Sequence, residues 1–318
     1  EKDPLIPEID TSVEIQAGSR VAVVSKSTSG EFWGLVKKGM EQAIADVNEA
    51  YGFKKEDQVT MTFEGASDEK DVESQVNTID AVIAENPDVL CVSASDMDSL
   101  QAQLEAAKEN GIPVVAFDSG VTDSKMVRAF RGTDNTRVGE IAAYRLATAI
   151  GKMGKVAVFS AQEKTQSIQE RVSGFTNYIT NYPDIEVVEI VYQDQVEDMT
   201  AAMQEVLDKY PQLDGVFCDN ADIADLYLDM KKDETKDSIV MVGVDATAKQ
   251  QEAIRNSKEV GVVSQQPYAM GYQTIWTALL TTAPKKSVEI KRNVRIDPAW
   301  IDSSNIDDPT YSSYLYAN

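Results

Sequence analysis

Two apolar runs of strand length, each stopped by an aspartate, constrain this chain more than any other feature. The first is Gly111-Ile112-Pro113-Val114-Val115-Ala116-Phe117-Asp118, and the second is Ile239-Val240-Met241-Val242-Gly243-Val244-Asp245. Upstream of each lies another apolar run, Val89-Leu90-Cys91-Val92 and Gly215-Val216-Phe217-Cys218, and both cysteines stand 27 positions before their aspartate. A third pair, Val21–Ser25 and Val156–Ser160, is offset by 135 positions, and Gly39 and Gly174 keep that offset. Several matches in the same order indicate one βα framework used twice.

Continuous apolar runs alternating with helical patterns read as buried parallel strands. The reading places strands over 20–25, 59–63, 89–93, 113–118 and 126–131 in the first series. In the second it places them over 155–160, 186–192, 214–218, 239–244 and 260–264, with a last strand over 288–296. Helices start at Phe32, run over 69–85, 98–110 and 165–181, end at Ile150 and fill 268–282. The fold class expected is therefore α/β, with two similar Rossmann-like lobes built on parallel sheets. Residues 1–18 hold two prolines and no helical period, and read as an N-terminal tether or strap. The acidic, aromatic tail 297–318 reads as packing over a lobe, not as binding a ligand. In open parallel sheets ligands bind beyond the carboxyl ends of the strands. Asp118 and Asp245 each project from such an end, so two halves that face each other would line one cleft with both carboxylates, as in a clamp.

Composition narrows the chemistry. The 318 residues suggest two domains. With 53 acidic against 30 basic residues the formal charge is −23, which repels nucleic acid and anionic membrane. There is no histidine, the commonest general base and metal ligand. The two cysteines, both inside apolar strands, read as small core residues. No run approaches the ~20 apolar residues of a membrane helix. The start at Glu1-Lys2-Asp3-Pro4, without Met, reads as a processed form.

No dinucleotide fingerprint, phosphate-cradling loop or nucleophile elbow appears. Asp219-Asn220-Ala221-Asp222 begins like a calcium loop but lacks the turn glycine. No cofactor and no metal are expected. The loop 26–31 precedes Phe32-Trp33, two aromatics at a helix start beside a strand end, where either core packing or ligand contact would use them.

At this point the chain resembles the type I solute-binding proteins of ABC importers, in the branch that binds ribose, galactose and related sugars. The segments that carry the likeness are 21–33, 112–118, Gly132-Thr133-Asp134-Asn135, Gln169-Glu170-Arg171-Val172-Ser173-Gly174-Phe175, 216–220, 241–245 and Gln265-Gln266-Pro267-Tyr268. Together they span about 19–307. The resemblance implies two lobes joined by three hinge crossings, near 131–133, 265–266 and Asn293-Val294. Those crossings divide the chain into a first lobe of 19–131 with 266–293 and a second of 132–265 with 294–318.

Carried over position by position, the family's ligand residues fall on Phe32, Trp33, Asp118, Arg171, Asn220, Asp245 and Gln265. Aromatic rings suit the apolar faces of a sugar, and Asp, Asn, Gln and Arg suit its rim of hydroxyls. Arg171 would also offset two cleft carboxylates. Plainer readings stand beside these: Arg171 as a surface charge, Asn220 as a helix cap, the two aspartates as turn formers, and Gln265 as a hinge residue. The sequence departs from the family's pattern where Gly30-Glu31 precede the aromatic pair, where Ser119 follows Asp118, and near Asp194-Gln195, where an aromatic is missing. Tyr192 and the loop Gln162-Glu163-Lys164 are further candidates for ligand contact.

The resemblance implies an extracytoplasmic, monomeric receptor, at the cell surface or in the periplasm. Its partners would be a monosaccharide or polyol and ABC permease subunits, with a lipid anchor as its only tie to membrane. The alternatives are a ligand-sensing domain like that of lactose-repressor-type regulators, and a carbohydrate-active enzyme using Asp118 and Asp245.

Overall fold

The computed structural model describes residues 2–235, 237–284 and 286–316. The chain clusters into two compact units. One takes everything up to Thr133, Lys164–Gln166 and Pro267–Ile296; the other takes Asp134–Glu163, Ser167–Gln266 and the chain from Asp297 onward.

The first unit is built on β1 (Arg20–Val24), α1 (Glu31–Tyr51), β2 (Thr60–Glu64), α2 (Val72–Ala84), β3 (Val89–Val92), α3 (Gln101–Glu109), β4 (Val114–Phe117) and β5 (Ala129–Thr133). After α4 (Asn135–Ala149), which packs in the second unit, that unit continues with β6 (Gly154–Ser160), α5 (Gln166–Ile179), β7 (Ile185–Tyr192), α6 (Met199–Lys209), β8 (Gly215–Cys218), α7 (Ala221–Met230), β9 (Val240–Val244), α8 (Ala248–Arg255) and β10 (Gly261–Ser264). Then α9 (Pro267–Leu280) and β11 (Asn293–Ile296) return to the first unit, and β12 (Ala299–Asp302) to the second.

The first sheet has the order β11-β5-β4-β3-β1-β2 and is parallel throughout. The second has the order β12-β10-β9-β8-β6-β7, parallel except for the antiparallel edge strand β12. The repeated runs become the central strands. Val23, Cys91, Val115 and Phe117 are fully buried in one core, and Phe159, Phe217, Cys218 and Val244 in the other. Both cysteines are free and buried, as core residues.

Close helix packing on each sheet explains the repeated glycines. A methyl at Gly39 of α1 would stand 2.0 Å from the Tyr268 carbonyl oxygen of α9, and one at Gly271 of α9 would stand 2.2 Å from the Val36 oxygen of α1. The second unit repeats this device between α4 and α5. There Gly139 faces the Arg171 oxygen at 2.1 Å and Gly174 the Thr136 oxygen at 2.3 Å. Only glycine permits such approach of two backbones. The device sets the height of α1, whose first turn carries Phe32 and Trp33, and of α5, which carries Arg171.

Of the two readings of the segment before β1, tether and strap, the packing fits the strap: Ile15 is buried, Leu5, Ile6, Ile9 and Val13 lie on the first core, and Tyr51 Oη donates to the Val13 oxygen at 2.6 Å. Two further points differ from expectation. The last parallel strand is confined to β11, whose pairing of Asn293 with Phe130 and Ile296 with Thr133 keeps it in the first unit. The exit expected at Asn293-Val294 therefore falls after Ile296. The tail adds β12 to the second sheet, Val262 pairing with Ile301, because Trp300 and Ile301 have apolar neighbours waiting at that edge.

Candidate functional site

Asp118 and Asp245 occupy matching places, each the first residue beyond its strand, and both adopt positive φ, 60° and 76°. Aspartate tolerates this left-handed region better than most residues, and backbone held there concentrates at ligand sites. The turn aims each carboxylate past the end of its sheet.

In the first unit Asp118 is 3% exposed. Its Oδ2 accepts from Ser93 Oγ at 2.6 Å and Ser119 Oγ at 3.1 Å, and lies 3.0 Å from Lys26 Nζ. Lys26, just past β1, is itself buried and also donates to Ser119 Oγ at 3.0 Å. A buried carboxylate is thus matched with a buried ammonium and two hydroxyls, which is what burial of such a pair demands. The Lys26 ammonium stands 5.8 Å over the Trp33 ring. Trp33 is buried. Its indole N–H donates to Glu69 Oε1 at 2.8 Å, and its ring meets Phe117 edge-on at 6.3 Å and Phe32 at 5.0 Å. Phe32 is half-buried. Trp33 therefore serves the core with one ring edge, and Phe32 is the more accessible of the two. Ser95 Oγ, also in this unit, is buried without a hydrogen bond.

In the second unit the carboxylate of Asp245 is held on both oxygens. Oδ1 accepts from Gln265 Nε2 and from Tyr316 Oη, both at 2.7 Å, and Oδ2 accepts from the backbone N–H of Ala221 at 2.9 Å. Ala221 opens α7, so a carboxylate meets the positive end of a helix. Asn220 caps the same helix, its Oδ1 accepting from Ile223 N at 2.9 Å, which fits the cap reading. Burial, then the Asp245 charge, pushes the Tyr316 hydroxyl well above its ordinary range, so it stays a donor.

Arg171 is buried, not a surface charge. Its Nη1 donates to the Asp219 carbonyl and its Nε to Asn135 Oδ1, both at 2.9 Å. Asp219, the first residue past β8, is fully buried. Its carboxylate accepts from Ser160 Oγ and from Ala161 N. Burial pushes its carboxyl up to about 7, against the opposing pull of Ser160 and Arg171. Gln162, past β6, is buried with Oε1 lacking any hydrogen bond. Tyr192 is partly buried, and Gln195 donates to Glu163, so this rim is polar.

Of the expected residues, Phe32, Trp33 and Asp118 gather in the first unit, and Asp245, Gln265, Asn220 and Arg171 in the second. Five partners escaped sequence reasoning: Lys26, Ser93, Asn135, Asp219 and Tyr316. Four of them carried a signal. Lys26, Ser93 and Asp219 lie one or two residues past buried strands, where Asp118 was found, and Asn135 lies in a quoted segment. Tyr316 carried none, since it reaches Asp245 across 71 positions. Among the described residues no cluster of acidic or sulfur ligands is able to hold a metal ion, and no helix is long and apolar enough to cross a membrane. What the side chains can do is present charged and amide groups, fixed in orientation, to a small polar molecule.

The chain is 27% identical over 203 residues to the ribose import binding protein of Bacillus subtilis, covering 64% of this chain and 66% of that protein. It is 26% identical over 216 residues to a D-ribose/D-allose-binding protein of Pseudomonas aeruginosa, covering 64% and 63%. The matched stretch thus spans slightly less than two thirds of these relatives. Solved structures match further. An ABC transporter solute-binding protein of Agrobacterium vitis with bound D-fucose superposes with a TM-score of 0.84 at 28% identity, over 94% of this chain and all of that one. A second from that organism, bound to α-D-tagatopyranose, gives 0.84 at 27%, again over 94% of this chain and all of the other. The family model of the periplasmic binding protein domain matches residues 21–283, most of the chain, and the chain belongs to that family.

Proposed function

We propose that this chain is an extracytoplasmic receptor that captures a monosaccharide or a related polyol and presents it to an ABC permease. The observation that carries this reading is the pair of strand-end aspartates, alike in left-handed backbone and in burial, each held by donors that fix its oxygens. Hydrogen bonds to charged groups are worth about 1.5–3 kcal/mol each. Fixed donors and acceptors also reject an analogue that lacks a hydroxyl, because a buried partner is then left unpaired. Asp118 with Lys26, and Asp245 with Gln265, Asn220 and Arg171, supply such groups to the hydroxyl rim. Phe32, with Trp33 behind it, supplies an apolar face. The buried, unbonded oxygens Ser95 Oγ and Gln162 Oε1 suit the hydroxyl protons of a ligand.

The relatives named above are named for sugar binding and import, and none for catalysis.

Calorimetry across pentoses, hexoses and polyols tests the reading, with Asp245→Ala and Arg171→Ala as site variants. One sugar is expected to bind the parent protein, and each variant to lose at least tenfold in affinity while keeping its fold. No binding in the panel would overturn the receptor reading; unchanged affinity in both variants would overturn the site.

A further inference from the structure

Behind β9, away from the residues assigned above, lies a buried carboxyl group with no partner for either oxygen. Glu259, just before β10, is 1% exposed, and neither Oε1 nor Oε2 makes a hydrogen bond. The Oε1 of Gln250, a fully buried residue of α8, is likewise unbonded. Gly243 of β9 places the two together. A methyl there would stand 2.3 Å from Gln250 Oε1 and 2.3 Å from Glu259 Oε2, so those oxygens are no farther apart than twice that distance. The absence of a side chain at Gly243 makes the room they share.

The amide of Gln250 is not free to turn over. Its Nε2 donates to the Val244 carbonyl at 2.9 Å, which directs Oε1 toward Glu259. Two acceptors that face each other repel, and one proton between them turns repulsion into a hydrogen bond. Val244 directly precedes Asp245, the residue held at φ 76°.

We propose that Glu259 is held as a neutral carboxylic acid that donates to Gln250 Oε1, and that through Gln250 it fixes the Val244 carbonyl. It is thereby a positioning residue for the Asp245 carboxylate. Its role in binding rests on the sugar-receptor reading; its protonation does not. The ionisable groups around it agree. Asp225 of α7 and Cys218 of β8 carry negative charge or none, and Lys258, the residue before it, donates to the Lys232 carbonyl. Burial, then Asp225, holds the Glu259 carboxyl well above the ordinary range. The folded state therefore takes up a proton at this residue. Its stabilising contribution is complete below the ordinary glutamate value of about 4.3 and is lost as pH rises through the raised one.

The test compares the parent protein with Glu259→Gln and Glu259→Leu by thermal unfolding from about pH 5 to 9.5, by the infrared carboxylic-acid C=O band, and by calorimetry with the best sugar. Gln keeps a donor toward Gln250 and has no proton to lose. Its unfolding temperature should fall less toward alkaline pH than the parent's, the infrared band should lose the Glu259 component and keep that of Asp219, and affinity should stay within about twofold. Leu supplies no donor, and affinity should fall about tenfold. An unchanged pH slope with the band intact in Glu259→Gln would overturn the proposal. Sugar binding that is unchanged in Glu259→Leu would overturn the positioning role. Should the parent bind no sugar, the receptor reading fails alone, and the unfolding and infrared measurements still decide the proton's place.

Discussion

Tyr316 Oη donates to Asp245 Oδ1 at 2.7 Å, and the Tyr316 backbone N–H donates to the Ala246 carbonyl at 3.0 Å. One residue of the tail thus bonds both the side chain of a strand-end aspartate and the carbonyl of the residue after it. The tail was expected only to cover a lobe; it also gives a donor to Asp245.

Tyr316→Phe removes one charge-assisted bond and little volume. A bond of this kind is worth about 1.5–3 kcal/mol, and about 1.4 kcal/mol is tenfold in affinity. Affinity for the bound sugar should fall about tenfold or more by calorimetry, with circular dichroism unchanged. Equal affinity would mean that Gln265 and the α7 N-terminus hold Asp245 without it.

Lys26→Met leaves Asp118 buried without its cation. Breaking a buried pair by removing one partner costs about 3–5 kcal/mol. Lys26→Met with Asp118→Asn should be more stable than Lys26→Met alone. Denaturant melts of the four proteins give the coupling, and additive losses would refute the pairing.

Asp219 gives a separate pH signature. Its carboxyl lies at about 7 in the folded chain, above the ordinary value of 3.8, because it is buried. A raised carboxyl contributes stability that is present below the ordinary value and lost as pH climbs through about 7. Asp219→Asn keeps an oxygen for Ala161 N and removes the ionisation. Between about pH 4 and 7 its stability curve should be flatter than the parent's; parallel curves would place the proton elsewhere.

Gly139→Ala sets a methyl 2.1 Å from the Arg171 carbonyl oxygen, a backbone atom that cannot swing aside. Helices α4 and α5 must part, at about 1–3 kcal/mol for overpacking. Arg171 moves with α5, so sugar affinity should fall together with melting temperature. A lower melting temperature at intact affinity would show that Arg171 tolerates the shift.

How much of this was legible in the sequence follows from where the determinants lie. Strands such as β4 and β9 are buried on both faces, so their apolar runs and terminal aspartates were visible locally. The expected strands over 155–160, 186–192 and 239–244 agree with β6, β7 and β9 within a residue at each end. Offset glycines at 39 and 174 announced the helix contacts. The polar partners were hidden because partnership is decided by topology. Lys26 meets Asp118 only because β1 and β4 flank β3, and Tyr316 meets Asp245 only because β12 carries the tail back along β10. Strand β12 itself is four residues long, too brief for alternation to show. The fate of Trp33 was undecidable for a related reason: the same indole suits a core and a sugar, and Glu69, which takes its N–H, is 36 positions away.

The left-handed backbone at Asp118 and Asp245 also sets the terms for redesign. Either position tolerates asparagine or glycine far better than alanine or a branched residue. A lost activity after alanine replacement there therefore mixes a chemical change with a steric one, and the asparagine variant is the cleaner comparison. Work aimed at a new cargo does better to leave both turns intact and vary Arg171, Asn220 and Ser119, where Arg171 and Asn220 stand in ordinary helical and extended conformations.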